Sequence, residues 1–418
     1  MRVLIINTFS CGGGAARAAR RLHHALLDQN IDSFFLSSDG IGTERDYLAQ
    51  ITDYKSAEID GDIQGNYINK NRTSLSNTFF SVSLAHYDIM NLVLEIKPDI
   101  INLHWVARFL SYEILERLLS LHIPIVWTLH DERPYTGGCH YTAGCDQFIS
   151  QKCANCPQLK QDPLSLTKKN LEKSNNLLKG KKVTVVCPSS WLSRRAKQSA
   201  VFCDNQILTI KNCVEIDIFT QLDKRKEKER LGIPVDSIAI LAGAHDNKEK
   251  RKGYSYFLHA LKIINDDYSL STFVKQGKIV ILIVGEHAED IEFLGYKTKN
   301  FGYINDDSML SSIYNAADVF VLPSLEDNLP NTLLESGACA TPMVAFNSGG
   351  ISDIVIDRKT GLLAKTGSAI QLALHLKLLI NYPDTRNRLG ENARAFVTKE
   401  CNPNKQAEEY LNVYQSLT

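Results

Sequence analysis

The chain reads as an α/β protein built from two doubly wound, Rossmann-like units. Three observations predict this. Short apolar, β-favouring runs alternate with helical segments along the whole chain, the pattern of parallel sheets covered by helices. Each half opens on a strand that enters a glycine-containing loop: residues 3–7 run into Gly12-Gly13-Gly14, and residues 238–242 run into Gly243. At 418 residues the chain is long for one domain and natural for two.

The expected strands of the first half are residues 3–7, 33–37, 100–104, 125–128 and 183–187. Those of the second half are 238–242, 279–284, 319–322 and 343–345. Each is a run of Val, Ile, Leu and Phe, as in strands buried on both faces. The charged run DKRKEKER (223–230) follows a polar stretch and sets the expected boundary near Thr220, giving domains 1–220 and 221–398. Residues 399–418 carry Ala407, Tyr410, Leu411, Tyr414 and Leu417 at helical spacing, so they form a helix with one buried face. Ligands of such sheets sit beyond the carboxyl ends of the strands, and two units facing each other would make one cleft.

Composition narrows the function classes. Hydrophobic content of 44% and charged content of 22% are ordinary globular values, so a core is readily built. The formal net charge is zero, which argues against nucleic acid as a partner, since phosphate backbones select basic surfaces. The opening MRVLIINTFS is too short an apolar run for a membrane span or a signal peptide and reads as a first strand. The expected location is therefore the cytoplasm, with peripheral contact to the inner face of a membrane left open. Ten cysteines in that compartment should be largely reduced.

The most informative block is FVLPSLEDNLPNTLLESGACATPMVAFNSGG, residues 320–350. A strand ends at Pro323-Ser324, and an acidic loop, Glu326-Asp327-Asn328, follows. Asn331 or Thr332 then caps a helix through Leu333, Leu334, Ala338 and Cys339. Asp327 and Glu335 lie on either side of seven intervening residues, one in the loop and one a turn into the helix. Amides at a helix start suit a phosphate or diphosphate, and an acid beside them suits a sugar hydroxyl. Ordinary loop acids would explain either carboxylate alone. The ordered block as a whole points to a sugar nucleotide.

This block resembles the donor-site signature of the retaining family 4 glycosyltransferases, which have the two-Rossmann GT-B fold. In that family an acid, seven residues, a glutamate, a small-residue helix and a Thr-Pro-Val-Val strand follow in order. Here the strand reads Thr341-Pro342-Met343-Val344-Ala345, and the first acid is Asp327 where glutamate is usual. The resemblance implies that Glu335 holds ribose hydroxyls and Asp327 faces hexose hydroxyls. The amides of Asn331, Thr332 and Leu333 would lie along the diphosphate. It also implies that the C-terminal helix crosses back to the first domain.

The remaining motifs are read in both lights. Gly13 and Gly14 open a helix over residues 15–27. Turn geometry alone accounts for such glycines, while the resemblance sets the loop under the donor diphosphate or the acceptor. Arg17, Arg20, Arg21 and His24 read as a solvated face of that helix, or as a meeting point for an anionic acceptor. His104-Trp105 and His130-Asp131 end two strands. The resemblance gives His130 the transferred sugar to hold. In the second half, Arg251-Lys252-Gly253 reads as a solvated loop, or as the cationic pair that neutralises a leaving diphosphate in the resembled family. The family's arginine stands five residues before the lysine, where this chain has Asn247. Tyr303 and Ile304 would offer backbone groups to the nucleobase, again by resemblance. Gly349-Gly350 needs no more than a turn.

Cys139, Cys145, Cys153 and Cys156 form C-x5-C-x7-C-x2-C. In a reducing compartment this admits a structural zinc held by four sulfurs, with four free thiols or a disulfide pair as the alternatives. The sequence thus predicts a retaining, metal-independent hexosyltransferase. It would use a nucleotide diphosphate sugar and a saccharide or lipid-linked acceptor, in polysaccharide biosynthesis. No catalytic cofactor is expected, since Asp266-Asp267 and Asp306-Asp307 are merely adjacent acids. A nucleotide-sugar epimerase or a phosphorylase on the same fold is the rival.

Overall fold

A computed structural model describes the chain except for residues 41–42, 83, 85–86, 151–152, 245–248 and 286–288. Among the described residues, thirteen strands form two sheets, every pairing parallel. The first sheet contains β1 (Arg2–Ile6), β2 (Asp32–Ser37), β3 (Asp46–Leu48), β4 (Ile100–Leu103), β5 (Ile125–Thr128), β6 (Val183–Cys187) and β7 (Ile207–Thr209). Its order is β3-β2-β1-β4-β5-β6-β7. The second contains β8 (Ile238–Ala244), β9 (Ile279–Gly285), β10 (Lys297–Asn300), β11 (Val319–Leu322), β12 (Met343–Phe346) and β13 (Gly361–Ala364), in the order β10-β9-β8-β11-β12-β13.

The nine expected strands are the nine interior strands. The four that were not foreseen, β3, β7, β10 and β13, are the four sheet edges. An interior strand of a parallel sheet is covered on both faces and so is apolar throughout. An edge strand is short and half solvated, and its sequence is under no such demand. β10 reads KTKN, with no residue fully buried.

The chain divides into two compact units, Met1–Cys213 with Pro403–Thr418, and Val214–Asn402. The division falls seven residues before Thr220 because Val214 and Phe219 are buried in the core of the second unit. The Val214 amide donates to the Cys401 carbonyl at 3.0 Å, which also keeps residues 399–402 in that unit. The helix Pro403–Gln415 belongs to the first unit. Tyr410 and Tyr414 are fully buried there beside Val3, Ile5 and Leu22. Asn102 donates to the Tyr414 hydroxyl at 2.7 Å, and the hydroxyls of Thr128 and Tyr410 lie 3.0 Å apart. Each such side chain removed from water contributes on the order of 2 kcal/mol, and its buried hydroxyl is satisfied.

The run 223–230 does more than mark a boundary. It forms the helix Lys224–Arg230, capped by Asp223, and Lys228 is buried. Lys228 Nζ lies 2.6 Å from Asp318 Oδ2, just before β11. Likewise the basic face of the first helix, Gly13–Asp28, is not simply solvated. Arg21 is buried, and Arg20 pairs with Asp46 on β3 while lying over the Phe35 ring. Among the described residues, no helix is long and apolar enough to cross a membrane.

Candidate functional site

In the second unit, three segments converge at the carboxyl end of β11. The first is the turn after β8. Lys250–Lys252 make one 3-10 turn ending on Gly253, whose φ is +70°. A Cβ at Gly253 would lie 1.9 Å from the Pro323 carbonyl oxygen, so only glycine lets this turn pack on the end of β11. The second is the acidic loop. Asp327 is buried, with its Oδ2 2.8 Å from Lys252 Nζ and 3.1 Å from Arg251 Nη1. Arg251 is held further by Glu249, at 2.9 Å from its Nε, and by the Glu326 carbonyl at 2.9 Å. Burial alone would raise the Asp327 pKa, but Lys252 first and Arg251 next overcome it and hold the carboxyl at about 2. The third segment is the turn after β12. Gly350 N donates to the Asp327 carbonyl at 3.0 Å, and a Cβ at Gly349 would come within 1.8 Å of that same oxygen. Gly349 is therefore needed for close approach to the acidic loop, beyond the turn that the sequence suggested.

The helix Asn331–Ala338 follows, with Pro330 at its N-cap. Asn331 and Thr332 are its first two residues and do not cap it with their side chains, contrary to expectation. Pro330, with its fixed φ, takes the cap position, and its carbonyl accepts the Leu333 amide at 3.1 Å. Of the three amides assigned to an anion, that of Leu333 is thus already engaged. Glu335 is buried one turn in and accepts from the Tyr314 hydroxyl at 3.1 Å. Tyr303 is exposed in the loop between β10 and the helix Asp307–Ala316. Gly285 N donates to the Gly302 carbonyl at 2.8 Å and fixes this loop against the end of β9. Asn247 and Lys248 lie outside the described residues.

In the first unit, Gly13 and Gly14 form the first turn of the helix that follows β1. His104 and His130 stand just past the ends of β4 and β5, with Nδ1 of the first 2.9 Å from Nε2 of the second. Burial lowers both pKa values, that of His130 to about 4, so both rings are neutral at neutral pH. One ring donates and the other accepts. Beside them Asp131 Oδ2 accepts from Trp105 Nε1 at 2.7 Å and lies 2.6 Å from His140 Nδ1. His140 and Asn7 were not singled out in the sequence, because nothing in their local pattern announces long-range partners.

All four cysteines of the cluster are free thiols, Cys139 and Cys153 buried, Cys145 and Cys156 half-buried. Burial raises the pKa of Cys139 well above its usual range, that of Cys153 to about 12, and that of Cys156 as well. In each case other cysteines of the set add to the rise, so the four sulfurs are electrostatic neighbours. Four sulfurs with one C-x2-C unit are suitable donors for a soft tetrahedral cation. Among the described residues, however, no group of three or more His, Cys, Asp or Glu side chains is arranged to hold a metal.

Comparison with known proteins identifies the fold. Residues 223–396 match the family model of the glycosyl transferases group 1. Across 100% of both chains the protein is 25% identical to WcaC of Escherichia coli (strain K12), a glycosyl transferase named for colanic acid biosynthesis. The fold is that of a sucrose-phosphate synthase from Thermosynechococcus elongatus, with a TM-score of 0.69 at 18% identity over 100% of this chain and 98% of that one. Anabaena HepE, solved in complex with UDP and glucose, gives a TM-score of 0.66 at 14% identity over 100% of both chains. The two parallel sheets are those of the GT-B fold.

Proposed function

We propose that this chain, whose fold is GT-B and whose residues 223–396 match the glycosyl transferases group 1, is a retaining, metal-independent hexosyltransferase of family 4 type. Its donor is a nucleotide diphosphate sugar. Its acceptor is a hydroxyl of a growing saccharide, free or lipid-linked, in polysaccharide biosynthesis. The observation that carries the reading is the gathering of Arg251 and Lys252 on Asp327, ahead of a helix that bears buried Glu335. HepE binds UDP and glucose, and WcaC is named for a polysaccharide, which supports the donor and the pathway class respectively.

In this reading Glu335 takes the ribose hydroxyls and the first turn of its helix takes the diphosphate. The bond from the anomeric carbon to the phosphate oxygen breaks, and its electron pair goes to the diphosphate. Lys252 and Arg251 stabilise that charge without reorganising, because Asp327 and Glu249 already hold them in place. The acceptor oxygen attacks from the face the diphosphate leaves, and its proton passes to the departing phosphate oxygen. Configuration is then retained without a protein nucleophile. Asp327 acts chiefly on the two cations, since its Oδ2 lies against both. His130, as a neutral ring, holds sugar hydroxyls by hydrogen bonding. A structural zinc on Cys139, Cys145, Cys153 and Cys156 would require these side chains to draw together from their present positions, and would then brace the loop after β5. The protein works at the cytoplasmic side, with the membrane touched only peripherally.

A thermal-shift panel of UDP-, GDP- and ADP-sugars, followed by a transfer assay in EDTA, tests this. One nucleotide class should raise the unfolding midpoint, and transfer should survive chelation. Turnover that requires inorganic phosphate, or that needs no acceptor, would replace the reading with a phosphorylase or an epimerase.

A further inference from the structure

Three aromatic rings crowd the carboxyl ends of β1 and β4. Trp105 follows β4. Phe9, past β1, stacks on it at 6.1 Å between centroids with 25° between planes. Phe79 approaches the same indole at 5.9 Å and 52°. Phe9 is 44% exposed and Phe79 43% exposed. One exposed phenylalanine needs no explanation, but two on the same indole form an apolar patch beside polar groups.

The patch is rigid. Trp105 N donates to Asn7 Oδ1 at 2.9 Å, and Asn7 Nδ2 donates to the Phe9 carbonyl at 2.7 Å. The Trp105 carbonyl accepts from both Thr8 N and Thr8 Oγ1 at 2.8 Å. One asparagine thus fixes both Phe9 and Trp105. The indole N–H is spent on Asp131, so this tryptophan offers a ligand its ring face and no hydrogen bond. His140, the other partner of Asp131, meets the Phe79 ring edge-on at 5.0 Å. The adjacent residue, His104, is buried, and its Nε2 has no hydrogen-bond partner among the described residues.

We propose that Phe9, Trp105 and Phe79 form a stacking subsite for a pyranose ring of the acceptor. This rests on the glycosyltransferase reading above and names the residues that select its acceptor. A pyranose has one face of C–H groups and a rim of hydroxyls. The C–H face fits the negative face of an aromatic ring, and the rim needs polar partners alongside. A preorganised, partly exposed aromatic patch meets the first need, and ordering it costs the ligand nothing.

The test titrates the full-length protein by NMR with methyl glycosides of glucose, galactose and mannose, and with octyl glucoside below its micelle concentration. At least one methyl glycoside should show upfield-shifted ring C–H resonances. Its affinity should fall roughly ten-fold in Phe9→Ala/Phe79→Ala. Phe9→Leu/Phe79→Leu, which keeps apolar bulk without the π face, should lose as much and guards against misfolding of the alanine variant. Equal binding by methyl and octyl glucoside identifies the ring as the ligand. Three results would each overturn the proposal: no methyl glycoside bound, unchanged affinity in the leucine variant, or binding through the octyl chain alone. Failure of the glycosyltransferase reading itself would appear separately, as a wild-type protein that binds no nucleotide in calorimetry.

Discussion

Single side chains in the second unit carry distinguishable duties. Glu335 is buried against the Tyr314 hydroxyl, so Glu335→Gln keeps volume and a bonding partner while removing charge. In the proposed donor site its charge-assisted bonds to ribose would be worth roughly 1.5–3 kcal/mol, so nucleotide affinity should fall about ten- to a hundred-fold. Calorimetric titration with UDP, GDP and ADP checks this, and an unchanged constant removes Glu335 from the donor site. In the proposed mechanism Lys252 answers to a charge that develops only as the bond breaks. Lys252→Ala should lower kcat on the order of 10²-fold, with a smaller change in KM, in steady-state transfer assays. A loss confined to KM would make Lys252 a ground-state ligand only.

At the level of elements, the donor site depends on how closely turns approach. A Cβ on Gly349 would lie 1.8 Å from the Asp327 carbonyl oxygen, at a φ of +55°. On Gly367 it would meet nothing nearer than 3.8 Å, at a φ of +78°. Both substitutions strain the backbone, but only one pushes the acidic loop. Gly349→Ala should cost at least about 2 kcal/mol in chemical denaturation, and Gly367→Ala about 1 kcal/mol. Gly349→Ala should also weaken nucleotide binding, and Gly367→Ala should not. The cysteine loop sets a different problem. Burial keeps Cys139, Cys153 and Cys156 protonated, so a bound cation must displace their protons. With zinc bound, elemental analysis should find about one metal per chain. Cys153→Ser/Cys156→Ser should then remove it and lower stability more than nucleotide affinity. Zinc-free protein with four freely titrating thiols would leave the cluster as ordinary cysteines.

For the whole molecule, chain order and unit membership part company. Pro403–Gln415 is last in sequence, yet Tyr410 and Tyr414 complete a core whose other members begin at Val3. Ending the chain at Asn402 removes Ala407, Tyr410, Val413 and Tyr414 from that core. The first unit should then lose at least about 5 kcal/mol, given 2 kcal/mol or more per large buried side chain. Limited proteolysis should release the second unit intact, still binding nucleotide. A truncated chain that resists proteases over residues 1–213 would show that the helix only decorates the first unit.

The nine interior strands could be read from the chain because burial on both faces demands apolar runs, and a local window displays them. The loop acids and the helix after them were readable for a similar reason, being contiguous patterns of spacing, whereas the Lys252 turn was singled out only by the family resemblance. Other features needed distance. Edge strands such as KTKN follow no pattern of their own, since a neighbour's open backbone defines them. Lys228 stood in a run that marked only a domain boundary until Asp318, ninety residues on, gave it a buried partner. Gly349 looked like a turn until the Asp327 carbonyl occupied the place of its missing Cβ. Phe9, Phe79 and Trp105 became one surface only when β1 paired with β4. Local sequence encodes hydrophobic period and spacing, whereas pairing of charges, close backbone approach and side-chain stacking exist only once distant segments meet.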